Sequence, residues 1–271
     1  MTPPRVRQHL SQTGETPRVD LCARARDWSE IQERMLVPLY EAVYKRLEVG
    51  AGTRLLGLGC GSGLALLMAA SRGAAVTGVD HSFPERLALA RERLLQDAGS
   101  ARARADTGIT RIVDGSAEDL AAAGDAETPA YTLVTAFEPI GCLAGDSEGL
   151  GGLLRTATPL AERGAPVVLA GWGPPERCAT SSVLRVATRL ADPLRSSASW
   201  RPALRDDLEE VAQRAGLKPD GSGRVACPFG YADAESALKG LLSTGLFDAA
   251  ITATDQTQVN KELTEALHRY M

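Results

Sequence analysis

The chain has 271 residues, of which 44% are hydrophobic and 24% charged, and its net charge is −4 with histidine neutral. This composition is typical of a soluble globular protein with a sizeable core. The acidic balance argues against a general attraction to nucleic acid or to an anionic membrane, and no apolar run is long enough to span a bilayer.

Cysteine and histidine usage argues against disulfide bonds and metal binding. The five cysteines are odd in number, no C-x-x-C pair occurs, and the three histidines are far apart. This pattern indicates reduced thiols in a cytoplasmic protein and predicts no metal site. The polar N-terminal segment lacks the apolar core of a signal peptide, which agrees with a cytoplasmic location.

The first predicted element is helical and follows the polar residues 1–20. In DWSEIQERMLVPLYEAVYKRLEV, apolar residues recur at helical spacing. Pro38 is expected to divide this region into two helices or to open the second one at its first turn. We assign residues 1–50 to an N-terminal helical extension, which could mediate a homodimer.

Strand and helix patterns alternate through the next part of the chain, 51–175. The strands are apolar almost throughout, as expected when both faces of a sheet are covered. The alternation predicts an α/β fold with a doubly wound, mostly parallel sheet of the Rossmann-like type. The predicted strands are 54–59, 74–80, 110–115, 131–137 and 165–172.

The remaining part, 176–271, is predicted to add a helical cap, one more strand and C-terminal helices to the same single domain. SSVLRVATRLAD and the residues 206–217 have helical patterns. A sixth strand is predicted at 224–231, with Pro228 ending its pairing early. The tail, 232–271, is predicted to form two helices.

The turn after the first strand, LGLGCGSG, carries the main functional signal. Its glycines follow neither the dinucleotide-binding spacing nor the P-loop spacing. Glycine permits positive φ angles and leaves room for a ligand, and the next helix offers unpaired N–H groups. Asp80 ends the second strand, about 20 residues further on, where a carboxylate can accept hydrogen bonds from ribose hydroxyls. The acidic segment DGSAEDL after the third strand is expected to border an adenine ring.

From about Asp27 to Trp172 the chain resembles the class I S-adenosylmethionine-dependent methyltransferases, in particular small-molecule enzymes of actinobacterial type. RLLGLGCGSG is similar to the first motif of that family and AAVTGVDHS to the second, while YTLVTAFE and APVVLAGWG take the places of the fourth and fifth strands. The resemblance implies methyl transfer from S-adenosylmethionine to a small organic acceptor in natural-product or secondary metabolism. S-adenosylhomocysteine would be the product, and the N-terminal helices would help to cover the cofactor.

Gly57 departs from the family pattern, which usually has Asp or Glu at this place to hold the methionine end of the cofactor. One lost charge-assisted hydrogen bond costs about 1.5–3 kcal/mol. A second reading therefore stays open: a methyltransferase-fold enzyme repurposed for cyclisation or rearrangement, with the cofactor structural or absent. A non-catalytic binding protein is a third reading.

The resemblance also implies roles for individual residues. Glu138 and His81 are candidates for catalysis, although Glu138 could be a solvated loop carboxylate and His81 an exposed neutral side chain. Cys60 has no visible base to activate it and is better explained as a small residue in a tight turn. The expected cofactor contacts are Gly57, Gly59, Cys60, Gly61, Gly63, Asp80, His81, Ala117, Glu118 and Phe137. The expected substrate-pocket residues are Trp28, Glu138, Trp172 and Trp200, each tryptophan with structural packing as the alternative.

Overall fold

Five parallel strands form the sheet at the centre of the computed structural model, which describes residues 20–97, 110–123, 130–140, 146–173, 178–191 and 205–270. The strand order is β3-β2-β1-β4-β5, and every neighbouring pair is parallel. The predicted Rossmann-like α/β fold is therefore confirmed. The strands are β1 (Arg54–Leu58), β2 (Ala75–Asp80), β3 (Thr110–Asp114), β4 (Leu133–Ile140) and β5 (Val167–Gly171).

Helices connect and flank these strands. Between β1 and β5 they are α3 (Leu64–Ala70), α4 (Pro84–Asp97), α5 (Ala117–Ala123) and α6 (Asp146–Ala157), the last extended by a 3-10 turn at Thr158–Leu160. They follow α1 (Leu21–Asp27) and α2 (Val37–Arg46) and precede α7 (Ala179–Ala191), α8 (Arg205–Arg214), α9 (Ala234–Ser243), α10 (Asp248–Ala253) and α11 (Gln256–Leu267).

Consecutive side chains of the strands enter different cores, because side chains alternate between the two faces of a sheet. Leu55 of β1 packs in a cluster with the N-terminal helix α2 and with α3. Leu56 packs in a second cluster with α5 and α6. Both faces of β1 are thus covered, which explains why its sequence is apolar without interruption.

The N-terminal region is helical from Leu21 to Arg46 but irregular in the middle. A π-helical turn at Trp28–Gln32 and a 3-10 turn at Glu33–Leu36 separate α1 from α2. Pro38 lies in the first turn of α2, as predicted, where its missing N–H costs nothing. Such π-helical turns are often found at functional sites.

Two predictions for the C-terminal part were wrong. Residues 224–231 form no strand, because Pro228 lacks a backbone donor and much of this segment is exposed. The tail contains three helices instead of two: Gly245 turns the chain at φ +85° after α9, and the Asp255 side chain caps α11 by accepting the Gln258 N–H at 2.8 Å. Helices α10 and α11 pack against α7 in a third apolar cluster.

Candidate functional site

The turn after β1 needs its glycines for backbone conformation. Gly59, Gly61 and Gly63 have φ values of +60°, +56° and +80°, in the left-handed region that other residues rarely adopt. The turn is closed by hydrogen bonds from the Cys60 N–H to the Val79 carbonyl at 3.2 Å and from the Gly63 N–H to the Cys60 carbonyl at 3.0 Å. We call residues 59–63 the glycine loop.

Asp80 connects the end of β2 to the glycine loop. Its carboxylate is 7% exposed and accepts the Gly61 N–H at 3.0 Å on one oxygen and the Ser82 N–H at 2.9 Å on the other. A carboxylate has about four acceptor positions. Asp80 can therefore hold the loop and still accept hydrogen bonds from a ligand.

Gly57 is glycine for a steric reason. It pairs in register with Gly78 of β2, and Leu66 of α3 packs over both. A Cβ at Gly57 would lie 2.9 Å from Leu66 Cδ2, and one at Gly78 only 2.5 Å from Leu66 Cδ1. The space beside Gly57 is thus occupied by an apolar side chain of the following helix.

A buried carboxylate nevertheless lies at the glycine loop, and it comes from Glu33 in the N-terminal region. Glu33 is 3% exposed and accepts hydrogen bonds from the Ser62 hydroxyl, from the Leu64 N–H at 3.3 Å and from the Arg93 guanidinium at 2.8 Å. Arg93 also donates to the Ser62 carbonyl at 2.9 Å and to the Ser29 hydroxyl. Both members of the ion pair therefore have further hydrogen-bond partners, as a buried pair needs to be stable.

Sequence reasoning missed Glu33 and Arg93. Glu33 lies in IQERMLV, where a charged pair between apolar residues is typical of the exposed face of a helix. The change from π-helical to 3-10 geometry alters which side chains point inward, and no local pattern predicts such a change. The two partners are 60 residues apart, so only the tertiary fold brings them together.

Trp28 lies directly over the glycine loop. Its Nε1 is 3.3 Å from the position that a Cβ on Gly61 would take, and this buried N–H has no hydrogen-bond partner in the described part of the chain. Arg86 stacks on the indole at 4.0 Å and on the Phe83 ring at 3.8 Å, and donates to the Ser243 carbonyl at 2.6 Å. Trp28 is thus fixed between the loop and a buried cation.

Arg86 is 4% exposed, and burial lowers its pKa to about 10, against the opposing effect of the Glu138 and Asp80 carboxylates. The guanidinium is still charged at neutral pH. Since both of its faces are covered by rings, only its edge can form hydrogen bonds.

Glu138 belongs to β4 and does not follow it, because the strand continues to Ile140 beyond the predicted end at residue 137. The pairing of β4 with β5 is irregular between Ala136 and Ile140. Glu138 is exposed, and its Oε2 lies 3.5 Å from the position of a Cβ on Gly59. Its carboxylate therefore borders the glycine loop.

Phe137 is 7% exposed and packs against Tyr40 and Tyr44 of α2, with ring centroids 4.9 and 5.8 Å apart. This places it in the core on the side of the N-terminal helices. Burial raises the pKa of the Tyr40 hydroxyl well above its ordinary value, so this group stays protonated.

The other predicted residues are distributed along the same edge of the sheet and beyond it. His81 is exposed and directly follows Asp80; Ala117 is fully buried and Glu118 exposed in the first turn of α5. Trp172 follows β5, is half-buried and contacts the Phe229 ring at 5.8 Å, beside the C-terminal helices. Trp200 lies outside the described residues.

Burial raises the pKa of the Cys60 thiol to about 12, with the Asp80 and Glu33 carboxylates adding to the effect. The thiol is protonated at neutral pH, which disfavours a nucleophilic role. In the described ranges no three His, Cys, Asp or Glu side chains cluster as metal ligands, and no helix there could cross a membrane.

The sheet order and the glycine loop define a Rossmann-like α/β protein whose candidate ligand site lies beyond the carboxyl ends of β1, β2 and β4. Comparison of the sequence with protein-family models and with curated proteins finds no match.

Several solved structures are similar to this chain. YjhP from Escherichia coli is 19% identical, aligns over 92% of each chain and has a TM-score of 0.52. A methyltransferase from Geobacter sulfurreducens, described as S-adenosylmethionine-dependent and solved with S-adenosylhomocysteine, is 19% identical over 89% of this chain and 85% of its own, with a TM-score of 0.47. Magnesium protoporphyrin IX methyltransferase (ChlM) from Synechocystis PCC 6803, solved with S-adenosylhomocysteine, is 12% identical over 73% of this chain and 78% of its own, with a TM-score of 0.48. Similarity at these identities concerns the fold alone.

Proposed function

We propose that the protein is an S-adenosylmethionine-dependent methyltransferase that acts on a small organic acceptor in the cytoplasm, in natural-product or secondary metabolism. The observation that carries this proposal is the link between Asp80 and the glycine loop: a buried carboxylate at the end of β2 holds a turn of left-handed glycines at 3.0 Å. A nucleoside ligand needs both features, bare backbone for close approach and an acceptor for its ribose hydroxyls.

The residues present fit this cofactor. Among the described residues the Trp28 N–H beside Gly61 has no acceptor, so it is a donor available to a ligand bound at the loop. Asp80 would accept from the ribose, and the segment around Ala117 and Glu118 would border the adenine. When bound, S-adenosylmethionine supplies a methyl group on a positively charged sulfur.

Glu138 would act on the acceptor. Its exposed carboxylate borders the loop at Gly59, where it can orient an acceptor and take a proton from a hydroxyl nucleophile or from an ammonium group that thereby becomes the amine nucleophile. The aromatic side chain of Trp172, after β5, would contribute to a wall of the acceptor pocket. The main task of the protein is then alignment and exclusion of water.

The test is titration calorimetry of the full chain with S-adenosylmethionine, followed by a panel of small acceptors with release of S-adenosylhomocysteine as the readout. Glu138→Gln should lower kcat about tenfold or more while cofactor affinity stays unchanged, because general-base contributions are of that size or larger. Glu148→Gln, an exposed carboxylate on α6, is the matched control and should leave turnover unchanged. No cofactor binding at millimolar concentration would overturn the proposal.

The apolar surroundings of Gly57, where Leu66 packs, favour a second candidate, a cyclisation or rearrangement on the same fold without methyl transfer. The two functions differ in their products. Formation of a product from an acceptor without S-adenosylhomocysteine in equal amount would support the second candidate against the first.

A further inference from the structure

Gly61 is in close contact with two groups of opposite hydrogen-bonding character. Glu33 Oε1 lies 3.5 Å from the position of a Cβ on Gly61, and Trp28 Nε1 lies 3.3 Å from the same position. One is a carboxylate oxygen and the other an N–H donor. A ligand that passes over Gly61 therefore meets an acceptor and a donor together.

The two oxygens of Glu33 are used unequally. Oε2 accepts from the Ser62 hydroxyl and from Arg93 at 2.8 Å, whereas Oε1 accepts, within the described ranges, only the longer bond from the Leu64 N–H at 3.3 Å. Since each carboxylate oxygen has two acceptor positions, Oε1 has capacity for a further donor. It is also the oxygen that faces Gly61.

Trp28 offers the complementary group, a hydrogen-bond donor. Its buried Nε1–H has no acceptor among the residues that the structure describes, and an unsatisfied buried donor costs about 1–3 kcal/mol. The indole is held in place by the stacked Arg86, so the donor cannot easily turn elsewhere. A ligand oxygen above Gly61 would satisfy it.

We propose that Glu33 and Trp28 bind the α-amino acid end of the cofactor, with Glu33 Oε1 accepting from the ammonium and Trp28 Nε1 donating to the carboxylate. This proposal rests on the proposed function. It explains how the chain can lack an acid at Gly57: the carboxylate comes from Glu33 in the N-terminal region. Arg93 positions Glu33 by holding its second oxygen.

The test uses three ligands that differ only in the amino acid end, each titrated into the full chain. S-adenosylhomocysteine has ammonium and carboxylate, its decarboxylated analogue has the ammonium alone, and methylthioadenosine has neither. Glu33→Gln should lower the affinity for S-adenosylhomocysteine and for its decarboxylated analogue about tenfold to hundredfold. The affinity for methylthioadenosine should stay unchanged. Trp28→Phe should lower the affinity for S-adenosylhomocysteine but not for the other two ligands. Glu30 is an exposed carboxylate on the same π-helical turn as Trp28, and Glu30→Gln should change none of the three affinities.

Methylthioadenosine, which lacks the amino acid end, distinguishes a role of Glu33 in binding from a role in folding. If Glu33→Gln weakens all three ligands equally, Glu33 merely supports the loop and the proposal is overturned. Tighter binding of S-adenosylhomocysteine by this variant would overturn it too, because Glu33 would then obstruct the site. If the wild type binds methylthioadenosine as tightly as S-adenosylhomocysteine, the inference fails while the proposed function stands. If the wild type binds none of the three, the proposed function itself fails.

Discussion

The Asp80 carboxylate accepts the Gly61 N–H at 3.0 Å, so the residue that ends β2 fixes the turn that follows β1. The same carboxylate accepts the Ser82 N–H at 2.9 Å and thereby shapes the start of the next connection. One side chain thus sets the geometry of two loops at the carboxyl edge of the sheet, where ligands of this fold class bind.

Replacement of Asp80 by alanine should therefore affect both stability and binding. Two N–H donors lose their acceptor, which should lower the free energy of unfolding by about 1–3 kcal/mol. Affinity for S-adenosylhomocysteine should fall about tenfold or more, because the ribose acceptor is lost as well. Urea unfolding and titration calorimetry measure the two effects.

Asp114 provides the control for this prediction. It pairs in register with Asp80 across β2 and β3 but is exposed at its strand end. Asp114→Ala should leave the stability nearly unchanged. An equal loss of stability in both variants would show that the two hydrogen bonds of Asp80 do not stabilise the fold.

The explanation for Gly57 can be tested by placing an acid at this position. Gly57→Asp should lower the free energy of unfolding by about 2–4 kcal/mol, because overpacking a core costs about 1–3 kcal/mol and the new carboxylate is buried. Gly57→Ala should show the loss of unfolding free energy that overpacking alone causes. This loss should be smaller in a Leu66→Ala background, since Leu66 Cδ2 is the atom nearest to the new methyl group.

Gly149 is the matched control, because it lies in α6 with no atom near its Cβ position. Gly149→Ala should be neutral or stabilising by up to about 1 kcal/mol, as expected from helix propensity. If urea unfolding shows that Gly57→Asp is as stable as the wild type, the steric explanation is wrong.

The sequence was sufficient to predict the five strands, the glycine loop and the position of Asp80, since all of these depend on short-range patterns. Apolar runs predict buried parallel strands, and glycines in a turn predict left-handed backbone. Glu33, Arg93 and Arg86 could not be predicted in the same way, because their roles depend on contacts between distant elements. The sixth strand was predicted wrongly at 224–231, where local composition resembles a strand but no neighbouring strand pairs with it in the described sheet.

The ion pair between Arg93 and Glu33 should contribute much more to stability than a surface pair. Arg93→Ala leaves the Glu33 carboxylate buried without its cation, and such a loss costs about 3–5 kcal/mol. Arg214→Ala removes an exposed pair with Glu210 on α8 and should cost less than about 0.5 kcal/mol. Urea unfolding of both variants gives the comparison, and equal effects would show that Glu33 is solvated in the folded protein.

Cys60 should be unreactive in the folded protein and should make stability depend on pH in the alkaline range. Burial raises the pKa of its thiol from 9.0 to about 12, so at about pH 8 only about one molecule in ten thousand carries the thiolate. Iodoacetamide labelling followed by peptide mass spectrometry should modify the exposed Cys22 and leave Cys60 unmodified until urea is added.

The sign of the pH effect follows from the two pKa values. Between about pH 9 and about pH 12 the folded state keeps the Cys60 proton and the unfolded state loses it, so the free energy of unfolding falls as the pH rises through this interval. Tyr231, whose pKa burial raises to about 12, acts in the same direction. Cys60→Ser removes only the thiol contribution and should show a shallower decline between about pH 8 and about pH 10 than the wild type. Identical slopes for the two proteins, or modification of Cys60 without urea, would show that the thiol is accessible to solvent and that the glycine loop is more open than its hydrogen bonds indicate.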